Sequence, residues 1–173
     1  MHTVRSKRLL DLTVGTALLV LVAPLLALAV CSAMLRRKPG GAFVLERKAG
    51  LHGRPFTVRS LRTRRFRLDL LSRLPHVVRG RMSLVGPAAL APGNPRAAAP
   101  WRQSVKPGLT GPAQLARHST MPWDEPAILD QHYVEHHWIG LDLAVLLRTL
   151  PAMRRPRRPQ DDPPPGRPAL RVT

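Results

Sequence analysis

Two loops rich in glycine and proline offer backbone amides to an anion. Gly80-Arg81-Met82-Ser83-Leu84-Val85-Gly86-Pro87 sets a short apolar, strand-like run between two glycines and ends at a proline. Glycine adopts positive φ without steric cost and lets a ligand approach the backbone, and Pro87 fixes the turn that follows. Val105-Lys106-Pro107-Gly108-Leu109-Thr110-Gly111-Pro112-Ala113-Gln114 repeats the device. There Lys106 stands beside amides around Gly108 and Gly111 that suit a diphosphate. Both loops also read as ordinary turns with a basic rim, because glycine and proline punctuate loops generally. Arg62 carries a guanidinium suited to bidentate phosphate binding, although solvated surface charge is its plainer role among so many arginines. His132 and His136, spaced i,i+4 with Asp130 and Glu135 nearby, have the spacing of metal ligands. Paired surface histidines on one helix are commonplace, and no metal site is assigned to them.

Carboxylates are scarce. Between Leu12 and Trp123 only Glu46 and Asp69 carry one. The 173 residues fit one small domain, and with 28 Lys and Arg against 10 Asp and Glu the formal charge is +18, so anionic partners are favoured. Nucleic acid ranks below a membrane among them. Only 4% of the chain is aromatic, and the basic stretch from Arg59 to Arg81 offers a single stacking residue, Phe66. One cysteine, Cys31, excludes an intrachain disulfide, and its apolar neighbours suggest a small hydrophobe.

The elements that must position these residues start with a run free of charge from Leu12 to Leu35, long enough as a helix to reach across a hydrocarbon core of about 30 Å. Basic clusters flank it on both sides: Arg5, Lys7 and Arg8 before, then Arg36, Arg37 and Lys38. Pro24 sits near its middle. A helix broken at Pro24 that dips in and returns is therefore favoured over one that spans, because the positive charge is balanced between the ends. The apolar stretch exceeds that of a cleaved signal peptide. Asp11 follows the first cluster, placed to pair with Arg8 at the headgroup boundary or to act as a simple helix-start carboxylate.

Phe43-Val44 and Phe56 to Thr63, divided by Gly50-Leu51-His52-Gly53, read as strand, turn and strand. Ala91 to Pro100 reads as a connecting loop. A helix is expected to start near Pro122-Trp123-Asp124-Glu125, and a second from Trp138 to Met153 places Leu141, Val145, Leu146 and Leu150 on one face, to pack on the domain or lie along a membrane surface. The tail is rich in Pro, Arg and Asp and is expected to be disordered. The expected organisation is a membrane-anchoring helix hairpin over 1–38, a domain over 39–153 and a disordered tail over 154–173.

Taken together and in order, M-S-L-V-G-P, V-K-P-G-L-T-G, Tyr133-Val134-Glu135 and Leu141-Asp142-Leu143 resemble the bacterial sugar transferases, the monotopic polyprenyl-phosphate phosphoglycosyl transferases. The resemblance runs from about Arg5 to Met153. It implies a small mixed α/β domain on a re-entrant membrane helix at the cytoplasmic face, with amphipathic helices on the membrane surface. It also implies transfer of a sugar 1-phosphate from a UDP-sugar to a polyprenyl phosphate in exopolysaccharide or glycan initiation. Membrane lipid and partner glycosyltransferases are implied as neighbours, and Mg²⁺ as the family's cofactor. In relatives an L-D-E-L-P segment supplies an Asp nucleophile and a Glu that helps hold the metal; the aspartate attacks the β-phosphate and a divalent ion offsets the charge.

Here Leu71-Ser72-Arg73-Leu74-Pro75 takes that place, so Ser72 stands for the aspartate and Arg73 for the glutamate. Asp69 is the nearby nucleophile candidate, and an i,i+4 partner for Arg65 or Arg73 is its ordinary role. Further departures accompany this: a linker from Pro75 to Gly80 shorter than in relatives, Arg81 for an Asp, and Ala88-Ala89 for the Arg-Pro after G-P. Substrate phosphate is expected around Arg62, Gly86, Pro87, Lys106, Gly108, Gly111 and Arg117. Arg8, Asp11 and Pro24 are expected at the membrane. A catalytically inactive relative that binds membrane or a partner protein is the alternative reading, and a basic nucleic-acid module the less favoured one.

Overall fold

The computed structural model describes residues 2–35, 41–63, 67–116 and 125–154. The uncharged run falls in one long helix, α1 (His2–Leu35), of 34 residues and thus about 50 Å in length at 1.5 Å per residue. Pro24 lies inside α1 and does not end it. A proline removes one i→i−4 bond, and the apolar helix resumes on both sides, so the break expected at Pro24 is not a break in the helix. Leu10, Val14, Leu18 and Leu19 pack on the core, whereas Val20, Leu21, Leu25, Leu28, Met34 and Leu35 are exposed. Ser6–Leu35 is long and apolar enough to cross a membrane.

β1 (Phe43–Ala49) and β2 (Pro55–Leu61) form the expected antiparallel hairpin, from Phe43 opposite Leu61 to Ala49 opposite Pro55. A 3₁₀ turn, Leu51–Gly53, joins them through His52 and Gly53 at positive φ. Two short helices, α2 (Leu68–Leu71) and α3 (Leu74–Val78), lead to β3 (Ser83–Val85). Then come α4 (Pro100–Gln103), β4 (Gly108–Thr110), α5 (Pro112–Leu115), α6 (Pro126–His136) and α7 (Ile139–Arg154). β3 and β4 pair in parallel, Ser83 opposite Gly108 and Val85 opposite Thr110. The domain is thus mixed α/β, with its described strands divided between two small sheets. The connector Ala91 to Pro100 is more ordered than a bare loop. It holds a 3₁₀ turn, Pro95–Ala98, in which Asn94 Oδ1 accepts the Arg96 N–H at 2.9 Å and Ala97 is buried.

The core gathers Val58, Leu74, Val77, Met82, Leu84, Val85, Tyr133 and Val145. α7 turns Val145 inward with Leu141 and Leu146, as its period implies, but its other side exposes Ile139, Leu143 and Leu147, with Trp138 just ahead. An outer face that is apolar rather than charged suits a bilayer surface. The early turns of α1 pack on α2, α3, β3 and α7, so part of the segment 1–38 belongs to the packing of 39–153. Of the tail 154–173, all but Arg154 lies outside the described residues.

Candidate functional site

Where β2 ends, the Leu61 N–H donates to Ser72 Oγ at 2.9 Å, and that hydroxyl donates to the Asp69 carbonyl at 2.9 Å. Ser72 braces the turn between α2 and α3 against the hairpin, and its one proton is committed to the backbone. Asp69 sits half-buried in the first turn of α2, after Arg67 in the left-handed conformation at φ 54°. One turn later comes Arg73, half-buried, whose Nε is enclosed with no hydrogen-bond partner among the described residues. Arg62 is exposed at the hairpin's end, its N–H bonded to the Ala42 carbonyl at 2.8 Å. His76 is buried below them, and its Nε2 accepts the Arg59 N–H at 3.0 Å. Burial first, then the charges of Arg81 and Arg79 and more weakly Arg73, hold this imidazole below its ordinary range.

The glycine loops meet each other instead of presenting their amides. The Gly86 N–H donates to the Thr110 carbonyl and the Gly108 N–H to the Pro87 carbonyl, both at 2.9 Å. Gly86, Pro87, Gly108 and Gly111 are all buried. A Cβ on Gly108 would overlap the Gly86 backbone, and one on Gly111 the Gly86 carbonyl. The phosphate cradle expected at Gly86 and Gly108 is therefore corrected: their amides close a parallel ladder, and the glycines permit its close approach.

Asp11 is likewise not a headgroup carboxylate. It is 3% exposed and accepts from Ser83 Oγ (2.8 and 3.0 Å to its two oxygens) and from the Leu84 N–H at 2.8 Å. Arg8, expected as its partner, instead donates to the carbonyls of Val77 at 2.9 Å and Val78 at 2.8 Å, at the C-terminal end of α3. Lys106 lies close enough to both for their charges to act on it. Burial and the Arg8 guanidinium lower its ammonium below the usual lysine range, against the pull of Asp11. Its Nζ has no hydrogen-bond partner among the described residues, which leaves it available to an anion.

Two buried pairs escaped sequence reasoning. The Tyr133 hydroxyl donates to Asp142 on α7 and is reached by Lys7 Nζ, which also pairs with Asp142 at 2.9 Å. Burial and the Asp142 carboxylate push the phenol above its ordinary range. Arg102 on α4 pairs with buried Asp130 at 2.8 Å and donates to the Ala88 carbonyl at 3.0 Å. A guanidinium thus stands beside Ala88, where relatives are expected to have an arginine, but Asp130 engages its charge. The Y-V-E and L-D-L motifs mark Tyr133 and Asp142 in the sequence; nothing local marks Lys7 or Arg102 as their partners.

Ligands for a divalent cation are sparse among the described residues. No group of three His, Cys, Asp or Glu side chains converges among the described residues. Glu46 pairs with Lys48 at 3.1 Å on β1. His132 and His136 stack at 4.4 Å between ring centroids, and His136 Nδ1 lies 3.1 Å from the His132 carbonyl. Arg117 lies outside the described residues.

A family model described as bacterial sugar transferase matches residues 63–156. The uncharacterized sugar transferase EpsL of Bacillus subtilis is 32% identical over 83% of this chain and 85% of its own. The UDP-glucose:undecaprenyl-phosphate glucose-1-phosphate transferase of Caulobacter vibrioides is 32% identical over 85% of this chain and 69% of its own. The undecaprenyl-phosphate glucose phosphotransferase of Komagataeibacter xylinus is 30% identical over 84% of this chain and 35% of its own.

Proposed function

The chain belongs to the bacterial sugar transferase family, and from that premise we propose that it transfers a sugar 1-phosphate from a UDP-sugar to a polyprenyl phosphate, with Asp69 as nucleophile. The observation that carries this assignment is the commitment of Ser72 to the backbone, which makes it a brace and leaves Asp69 as the adjacent reactive group. A register three residues earlier supports the same reading. It matches Leu68-Asp69-Leu70-Leu71 to L-D-E-L, puts the aspartate under the nucleophile, and adds three residues to the linker before Gly80 that otherwise falls short. Leu70 then stands for the metal-holding glutamate.

In this reading an Asp69 oxygen attacks the β-phosphorus. The bond from that phosphorus to the bridging oxygen breaks, UMP leaves with the electron pair, and an acyl phosphate remains. A polyprenyl phosphate oxygen then attacks the same phosphorus and releases the carboxylate. No step is routed through a metal, because the described residues offer no site for one.

Chain length favours a re-entrant membrane arrangement. Lys7 and Asp11 are built into the domain, and eight peptide steps after Leu35 the chain is in β1. Eight residues reach at most about 29 Å, and a return across the hydrocarbon as extended chain would strand its backbone polar groups. A re-entrant arrangement is supported by the ties of Lys7 and Asp11 to the domain and by the short chain from Leu35 to β1, and a UDP-sugar donor favours the cytoplasmic face.

The second reading, an inactive relative that binds anionic lipid or a partner enzyme, is favoured by the loss of the metal-holding acid. Turnover separates them: purified protein in nanodiscs with undecaprenyl phosphate and UDP-glucose is scored for UMP release against Asp69→Asn. Release that the substitution abolishes supports the transferase. No release, with binding to anionic vesicles intact, supports the inactive relative.

A further inference from the structure

We propose that Arg73 binds the diphosphate of the nucleotide sugar and supplies the positive charge that a divalent cation supplies elsewhere in the family, so that this protein handles its donor without metal. The inference rests on the transferase reading above for its ligand class.

Three observations converge on Arg73. Its side chain is half-buried and its Nε is enclosed without a hydrogen-bond partner among the described residues. A buried polar group left unmatched is costly, and a ligand oxygen is a ready explanation for it. Among the described residues no set of three candidate ligands converges to hold a cation, and Glu46 is engaged by Lys48. Finally, Arg73 lies four residues after Asp69, across the turn that joins α2 to α3. The turn is held rigid by Leu61, Ser72 and the Asp69 carbonyl.

The surroundings are rich in arginine. Arg73, Arg79 and Arg81 all act on buried His76, and together they hold it toward its neutral form. A diphosphate carries the charge that this cluster lacks. A guanidinium is a planar fork that pairs with two phosphate oxygens at once and stays charged at any working pH. Arginines placed in this way stabilise the charge that builds up in phosphoryl transfer. Here the fork would hold the β-phosphoryl oxygens while the Asp69–phosphorus bond forms and the bond to the UMP oxygen breaks.

The experiment uses the full chain in nanodiscs. UDP-glucose binding is measured by titration calorimetry in EDTA and again in Mg²⁺, for the wild type, Arg73→Gln and Arg73→Lys, with UMP release followed in parallel. The expected result is binding that is indifferent to EDTA, weakened roughly 10- to 100-fold by Arg73→Gln, as for a lost charge-assisted pair. Arg73→Lys should fall between, keeping the charge but losing the fork. Unchanged thermal unfolding midpoints would show that the variants fold.

Binding in EDTA that depends on Arg73, with no turnover under any condition, would keep the Arg73 site and remove the transferase reading. Turnover that requires Mg²⁺ and ignores Arg73→Gln would keep the transferase and overturn the role given to Arg73. Absence of UDP-glucose binding with and without Mg²⁺ would overturn both.

Discussion

Asp11 and Ser83, separated by 72 positions in the chain, are joined by hydrogen bonds of 2.8 and 3.0 Å in the interior. The link ties the membrane helix to the first residue of β3, and the Leu84 N–H shares the same carboxylate.

Removing Asp11 leaves Ser83 and the Leu84 N–H without their acceptor, whereas removing the Ser83 hydroxyl leaves Asp11 with the Leu84 N–H alone. Asp11→Ala should cost about 3 kcal/mol, since both the Ser83 hydroxyl and the Leu84 N–H lose their acceptor. Ser83→Ala should cost about 1–2 kcal/mol. The double variant should cost little more than Asp11→Ala alone, because the two share one interaction. Thermal unfolding in detergent reads all three, and additive losses would disprove the coupling.

Lys7, Tyr133 and Asp142 bind α1 to α6 and α7. Lys7→Met leaves Asp142, 3% exposed in its side chain, without its cation, and should destabilise by about 3 kcal/mol. Tyr133→Phe removes the phenol's bonds to Asp142 and to the Val85 carbonyl and should cost about 2 kcal/mol. Limited proteolysis should then cut the early turns of α1, which the wild type protects.

Gly108→Ala drives a methyl group into the Gly86 backbone and should prevent folding, at a cost above about 4 kcal/mol. Gly93→Ala meets nothing within 4 Å and is the matched control, expected within about 0.5 kcal/mol of wild type. Similar expression of the two proteins would contradict the close ladder.

His76 makes stability depend on pH in a defined direction. Its folded pKa lies below the ordinary imidazole value of about 6.5, so between those two values the unfolded chain holds the extra proton. Stability is then greatest above pH 6.5 and falls as the pH drops through that value toward the folded pKa. The unfolding midpoint should decline from pH 7.5 to pH 5.5, and His76→Gln, which keeps an acceptor for the Arg59 N–H, should flatten that slope. An equal slope in the variant would assign the effect to other groups.

Topology is open to thiol labelling. In a Cys31→Ser background, cysteines placed at exposed Leu9 and exposed Leu45 should both react with an impermeant maleimide in inverted vesicles, and neither in intact cells. Labelling of one from each side would mean that α1 spans.

By itself the sequence determined the local elements of this protein. An uncharged run of that length makes an apolar helix, alternation around Gly50 to Gly53 makes a hairpin, and the period of Leu141, Val145 and Leu146 fixes the inner face of α7. Each of these signals repeats over a few residues and needs no distant partner to be read. The motifs also singled out Gly86, Gly108, Gly111, Tyr133 and the L-D-L aspartate, which the structure places in its interior.

What each of those residues does was decided only by tertiary structure. Whether the amides of Gly86 and Gly108 face a phosphate or a strand depends on what lies beside them, and β4 lies there. Arg8 and Asp11 are neighbours on one helix, yet each bonds to a different distant segment, because Val77, Val78 and Ser83 bring better-matched groups into reach. Ser72 stands where relatives have the nucleophile, and only the end of β2 shows that its hydroxyl accepts the Leu61 N–H. Pairings across many residues have no periodicity to reveal them; packing geometry selects them by bringing donors and acceptors together where water is excluded.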